Sequence, residues 1–386
     1  MAGERYRARA SRQILHPNLY ICRKHYGIDS MSGRKQHFIP QSLLKGFGVE
    51  KGKNIYVVAY TYDRGVFSPA TAGIGAERNF YSELSVEGEV ETLDDRITAY
   101  ETPLAAVLSN LRGLTNEGEA DQATTAEFVA HLVTRNDHFR KAISTGGASM
   151  LDGMAGILSQ EEHAKTLLGL AGEAPSALFV AEIDKALEKY RPLIAMTGLS
   201  QQQFHEWAFA FAKTNYRELH QEIAEPFTNA LREVRGQVSE VAADAQRRTL
   251  SGELAPEKRI ELLKGYSWRV IHVAPTLVLP DCVAVAFDQA DDAYPLILAD
   301  MDIVESIFMP LSSDRLLIGS RASTSSPRHS WNEASATCSW DFFVARERTP
   351  ELEKLRDRLR TRVSGFLDTM VNQALEEVLQ EQSGDK

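Results

Sequence analysis

The sequence predicts an α+β protein, mainly helical, with a mixed or antiparallel sheet built from strands near both ends of the chain. Short runs rich in β-branched and aromatic residues fall at about 38–84 and again at about 266–320. Between them, from about 89 to 250, apolar residues recur at helical spacing. Strands and helices are segregated rather than alternating, which excludes a βαβ plan. The economical arrangement joins both strand regions in one sheet and packs the helical middle against it.

Residues 1–30 carry Arg5, Arg7, Arg9, Arg12, Arg23 and Lys24 without sustained periodicity. They read as a mobile extension or an over-long start, with Met31 opening a single domain over 31–386. Pro40 to Phe47 suits one short helix with proline in its first turn. Asn54 to Tyr62, the turn Asp63-Arg64-Gly65 and the following VFSPA predict a hairpin. Segment 90–112 places Leu93, Ile97, Leu104, Val107, Leu108 and Leu111 on one helix face, with a kink expected at Pro103. Further helices are expected at 122–141, 157–171, 175–192 and 200–248, with Gly146, Gly147, Gly153 and Gly156 marking a loose connection. The pieces YSWRVIHV, PTLVLPD, CVAVAF, YPLILA and RLLIGS then read as strands, and 331–346 and 350–380 as helices.

Composition narrows the function classes. The 386 residues are 43% hydrophobic and 25% charged, as in folded globular chains. No apolar run approaches the ~20 residues that cross a bilayer, and the N-terminus lacks a secretory pattern, so a cytoplasmic protein without membrane partners is expected. Cys22, Cys282 and Cys338 are too few for a disulfide framework or a four-cysteine zinc site. A net charge of −10 argues against a broad basic nucleic-acid surface and suits an enzyme, or a protein whose partners are small or basic; a small-molecule or nucleotide substrate is the partner expected from the residue chemistry below. The oligomeric state is not legible.

The chain holds no phosphate-binding G-x-x-x-x-G-K-[ST], H-E-x-x-H or G-x-S-x-G pattern. Four weaker features stand out. His37 precedes a helix start, whose free N–H groups would lower an imidazole pKa. Glu127, His131, Arg135 and His138 share one helix face by spacing, as a solvated row or, facing a cleft, a proton-transfer or anion-binding row. Asp281 sits at a strand end, as a site carboxylate or a turn residue. Glu101 lies inside the first long helix beside Pro103. Trp207, Phe209 and Phe211 read as core, and Arg232 to Arg248 as a solvated face.

The order of these features resembles the bacterial domain-of-unknown-function family 4238. The matching stretches are His37-Phe38-Ile39-Pro40-Gln41 with its Leu-rich helix, Asn79-Phe80-Tyr81, Glu101, Leu132-Val133-Thr134-Arg135 and Pro310-Leu311-Ser312, within about 31–345. The family's Ser-Asp-Asn-Pro stretch is similar to Pro280-Asp281-Cys282-Val283, where only the aspartate is kept. The resemblance implies no activity, but it groups polar residues from separate elements, as a site requires. The expected function is therefore hydrolysis of a phosphodiester or nucleotide-like substrate. His37 would act as base or metal ligand, Glu101 and Asp281 as metal ligands or an acid/base pair, and Arg135 as the phosphate partner. Gln41, Asn79, Tyr81, His131 and Asn332 would contact substrate, and a divalent metal is the cofactor such a set would use. Two alternatives stay open: ADP-ribosyl transfer from a nicotinamide dinucleotide, and a non-catalytic protein-interaction domain whose polar set is a buried network.

Overall fold

The strand-forming residues pair into small antiparallel sheets, and the helices cover them. The computed structural model describes residues 35–81, 92–190, 196, 198–274, 276–321 and 330–383. The expected extension at 1–30 lies outside the described residues.

In chain order the N-terminal part holds β1 (Lys35–His37), α1 (Gln41–Leu44), a 3-10 turn (Lys45–Phe47), β2 (Val49–Lys51), β3 (Asn54–Tyr56), β4 (Val58–Thr61), β5 (Gly65–Phe67) and β6 (Ala76–Arg78). The middle holds α2 (Leu93–Gly113), β7 (Gly118–Glu119), α3 (Gln122–Thr134), α4 (Asp137–Ser159), α5 (Glu161–Leu167), α6 (Ala177–Leu187), α7 (Gln201–Thr214), α8 (Tyr216–Gly252) and α9 (Glu257–Leu263). The C-terminal part holds β8 (Ser267–His272), β9 (Leu279–Pro280), β10 (Val285–Asp288), β11 (Ala293–Pro295), β12 (Val304–Ser312), β13 (Arg315–Ser320), α10 (Trp331–Cys338), β14 (Phe342–Ala345), α11 (Pro350–Arg356) and α12 (Thr361–Ser383).

The fold is α+β and mainly helical, but the two strand regions do not merge into one sheet. A six-stranded antiparallel sheet has the order β11-β10-β12-β13-β8-β7 and draws all but β7 from the C-terminal region. A four-stranded sheet, β5-β4-β14-β9, is where the two ends of the chain meet. The register Tyr60↔Phe343 stacks those two rings at 4.8 Å. The predicted hairpin is β4–β5, closed by Thr61 Oγ1, which donates to the Gly65 carbonyl at 2.9 Å.

Several expected boundaries shift for local reasons. The stretch 331–346 is not one helix: α10 ends at Cys338, and the β-branched and aromatic Phe342-Phe343-Val344 runs on as β14. The helix expected over 350–380 is interrupted at Arg360, whose φ of 71° is left-handed. The expected 200–248 helix breaks between Thr214 and Tyr216. Pro103 does not interrupt α2, which is continuous around it. The longest strand, β12, was hidden because a nearly continuous apolar run carries no period-2 signal.

The expected loose connection at Gly146 to Gly156 is helix α4, and two of its glycines are close-approach points. A Cβ on Gly147 would stand 3.0 Å from Val238 of α8, and one on Gly153 would run into Leu375 of α12. The main core lies between the six-stranded sheet and helices α1, α2 and α3, with Leu43, Phe47, Val133, Trp268, Ile307 and Leu317 among its buried members. A second, smaller core of Leu170, Phe179, Phe209 and Tyr216 holds the helical part around α6 and α7.

Arg112, on the last turn of α2, ties this core together. Its Nε donates to the Leu311 carbonyl at 2.9 Å, and its terminal nitrogens donate to the Ser42 and Leu43 carbonyls, both at 3.1 Å. Burial pushes its pKa down to about 10, which still leaves it charged at neutral pH, so each bond is charge-assisted. A Cβ on Gly46 would stand 2.7 Å from the same Leu311 oxygen, so glycine is required there. Replacing Arg112 with Met removes the donor shared by three carbonyls and is expected to cost about 2–4 kcal/mol, read as a lower urea midpoint with unchanged slope. Lysine, which lacks the planar fork, should recover less than half of that loss.

Candidate functional site

The predicted site residues converge on one turn. α3 stops at Thr134 because Asn136-Asp137 opens a new helix: the Asn136 side chain caps α4 by accepting from the His138 N–H at 2.7 Å. The supposed single helix face from Glu127 to His138 is therefore broken. It is also not a solvated row: His131 is 0% exposed, and Arg135 and His138 are 2% exposed.

Arg135 occupies the corner with its guanidinium turned inward. Nε donates to Tyr81 Oη at 3.2 Å, one terminal nitrogen donates to the His37 carbonyl, and the other meets the Glu101 carboxylate. Tyr81 Oη returns a bond to the Arg135 carbonyl at 2.8 Å, and the Gln36 side chain accepts from the Tyr81 N–H at 2.6 Å. One guanidinium thus joins β1, the Phe80-Tyr81 turn, α2 and α3.

Two imidazoles flank it. His37 Nε2 accepts from the Gln41 amide at 2.9 Å. Burial first, then Arg135 and Lys35, lowers the His37 pKa to about 4. Burial, rather than the start of α1, is the main cause of the lowered imidazole. His131 faces two acceptors, the Leu254 carbonyl at 2.8 Å and Glu101 Oε1 at 3.2 Å. Burial lowers it to about 4 as well, so at neutral pH it has one N–H. That single proton can serve only one of the two acceptors. The ring also packs on Tyr100 with centroids 4.8 Å apart, and Tyr100 Oη donates to Glu127.

Asp281 stands on the far side of the same turn, linked by Asn136, whose amide donates to the Asp281 carbonyl. Its carboxylate is 4% exposed and accepts three backbone N–H groups: Trp340 at 2.8 Å, Phe342 at 3.1 Å, and Asp341. Burial pushes its pKa up, while His138 and the Asp341 N–H pull it back. Ligand atoms of His138, Asp281 and Cys282 all lie within 4.8 Å of one another, and all three residues are buried. Val283, next in the chain, has φ 59°, a strained conformation for a β-branched residue.

The remaining expected residues are placed differently. Asn79 is exposed in a left-handed turn with φ 58°, a conformation asparagine tolerates. Asn332 donates to the Thr276 carbonyl at 2.8 Å and accepts from the Val278 N–H at 3.1 Å, so its amide staples a loop. That loop borders a cleft of about 180 Å³ shared with Glu347 and Thr349. A larger cleft of about 480 Å³ lies between β7 and β8, against Glu117, Gln122, Trp268 and Arg269. His37, Glu101, Arg135 and Asp281 line neither.

Sequence reasoning missed the residues that complete the turn. Gln246, 0% exposed, donates to the Thr134 carbonyl at 3.1 Å and the Asn136 carbonyl at 2.7 Å, and accepts from Arg140 at 3.1 Å. It lies inside the Arg232–Arg248 stretch expected to be solvated. Lys141 bridges Asp137 and Asp341; against burial, which pulls its pKa down, the two carboxylates raise it. Asn136-Asp137 was a readable helix-start signal that the longer periodicity concealed.

The two lowered histidines set a pH dependence. An unfolded histidine titrates near 6.5, whereas folded His37 and His131 titrate near 4. Between those values the unfolded chain binds more protons, so stability falls as pH drops from 6.5 towards 4, by about 1.4 kcal/mol per pH unit for each proton taken up. The slope of urea stability against pH should therefore be shallower in a His37→Gln/His131→Gln variant than in the parent.

No curated protein and no solved structure matches the chain, and among the described residues no helix is long and apolar enough to cross a membrane. The family resemblance, by contrast, is carried by nearly the whole described fold. The family model described as a protein of unknown function (DUF4238) matches residues 35–374, and the chain belongs to that family.

Proposed function

We propose that this chain is a protein-interaction domain, and that the polar turn around Arg135 is its internal lock rather than a catalytic centre. The observation that carries this reading is that the charged groups of the turn are held by internal partners. Arg135 spends its donors on Tyr81, His37 and Glu101, and Asp281 receives three backbone N–H groups. Groups so engaged cannot also hold a phosphate without breaking bonds to buried partners.

Apolar surface is offered elsewhere. On α7, Trp207 is 56% and Phe211 52% exposed, and their rings stack at 5.5 Å, with Phe204 beside Trp207. They were expected in the core, where only Phe209 of the three is buried. On α8, exposed Phe227, Val234 and Val241 fall seven residues apart and form one stripe. Large exposed aromatics in a row favour contact with a protein partner.

A photo-crosslinking residue at Trp207 should trap a discrete protein adduct in cells, while the same residue at exposed Met370 should not. Equal, diffuse labelling from both positions would refute the interaction reading.

One observation favours the hydrolase reading as second choice. The Glu101 side chain remains 24% exposed, and His37 and Gln41 beside it are only half-buried, so the turn has one open edge. Release of nitrophenol from bis(p-nitrophenyl) phosphate with added magnesium or manganese, lost in Glu101→Gln at unchanged thermal stability, would establish that reading in place of ours.

A further inference from the structure

We infer that the far side of the polar turn is a zinc site, with His138, Asp281 and Cys282 as ligands, formed where the start of α4 meets the loop after β9. The inference is independent of the interaction reading and rests on an imidazole that the protein leaves half-used.

His138 Nε2 donates to the Cys338 carbonyl at 3.0 Å. That bond fixes the tautomer and turns Nδ1 into a lone pair. Nδ1 is buried and has no hydrogen-bond partner. A buried acceptor left without a donor is destabilising, and a bound cation would offset that loss. A ring nitrogen of His138, a carboxylate oxygen of Asp281 and the thiol of Cys282 all lie within 4.8 Å of one another. Zinc bonds of about 2.0–2.3 Å bring tetrahedral donors to roughly 3.5 Å apart, so the three groups need to close by up to about 1.3 Å.

The surroundings have the form that metal ligands require. A ligating histidine donates its other N–H to a carbonyl, and a ligating carboxylate is itself hydrogen-bonded; here the Cys338 carbonyl and the N–H groups of Trp340, Asp341 and Phe342 fill those roles. Those N–H groups leave the carboxylate lone pairs to spare, since two oxygens offer about four acceptor sites. Charge also balances. On binding, the Cys282 thiol would lose its proton to solvent, and thiolate, carboxylate and zinc sum to zero in a buried place. One nitrogen, one oxygen and one sulfur favour zinc over magnesium or calcium, which take oxygen. The ion would tie together segments near 138 and 282 that are remote in sequence, with three protein ligands and a fourth position left for water.

The test uses the full chain expressed in zinc-supplemented medium, with elemental analysis after gel filtration, and a parallel preparation in cobalt. We expect about one zinc per chain, and a thiolate-to-cobalt charge-transfer band in the near ultraviolet. Cys282→Ser should lose that band, and His138→Gln should lose most of the bound metal. Comparison of thermal melts after chelation separates loss of the ligand from loss of the fold, because a folded Cys282→Ser variant should match the chelated parent. Metal at background in the folded parent, or equal metal and an equal band in the parent and Cys282→Ser, would overturn the assignment.

Discussion

A guanidinium with almost no access to water must find its acceptors inside the protein, and Arg135 finds them on three separate elements. Burying a charge without partners costs far more than any single contact returns, so the arrangement is obligatory once Arg135 faces inward. Arg135 is the C-cap of α3, its N–H still bonded to the His131 carbonyl at 3.1 Å, and the Asn136 cap turns the chain into α4 immediately after it. Gln246 from α8 secures the turn by bonding the carbonyls on both sides of it.

The same logic explains how four separate sheets and a long helical section become one fold. The main core lies where helices cover the six-stranded sheet. Arg112 anchors α1 and β12 to the end of α2, while Gly147 and Gly153 let α8 and α12 pack closely on α4. His37, Glu101, Arg135 and Asp281 line neither described cleft; they sit at crossings where segments remote in sequence meet. Aromatic and cation contacts reinforce this, with the Arg140 guanidinium 3.8 Å from the Phe80 ring centroid and its terminal nitrogen bonded to the Phe80 carbonyl.

How much of this was legible in the sequence depended on the range of the interaction. The α+β class, the hairpin at β4–β5 and the helix at Gln41 follow from local composition, and they appear where local rules put them. The family resemblance, carried by residues such as His37, Tyr81, Glu101 and Arg135, also picked out groups that meet. What failed was everything decided by tertiary packing. Helical spacing does not say which face is buried, so Phe211 was placed inside and Gln246 outside. A glycine cluster reads as a loose connection until a neighbouring helix is seen pressed against it. Asn332 and Asn79 looked like site residues because they are polar, yet one staples a loop and the other fills a left-handed turn.

The residues of the inferred metal site show why the chemistry of a site is harder to read than its scaffold. Cys282 is unremarkable in sequence, one of three scattered cysteines, and His138 looked like the last member of a helical row. Their meaning depends on the turn at Asn136, which rotates His138 away from that row, and on the Pro280-Asp281 strand end, which delivers a carboxylate and a thiol side by side. Both carboxylates first grouped as one site, Glu101 and Asp281, are then seen to answer different demands on opposite sides of one turn. Glu101 is matched by the permanent charge of Arg135, and so needs no further cation. Asp281 has only neutral N–H donors bonded to it and an imidazole nitrogen nearby without a donor. An unmatched charge beside an unused lone pair is the arrangement that a divalent ion resolves, and it is found on one side of the turn and not the other.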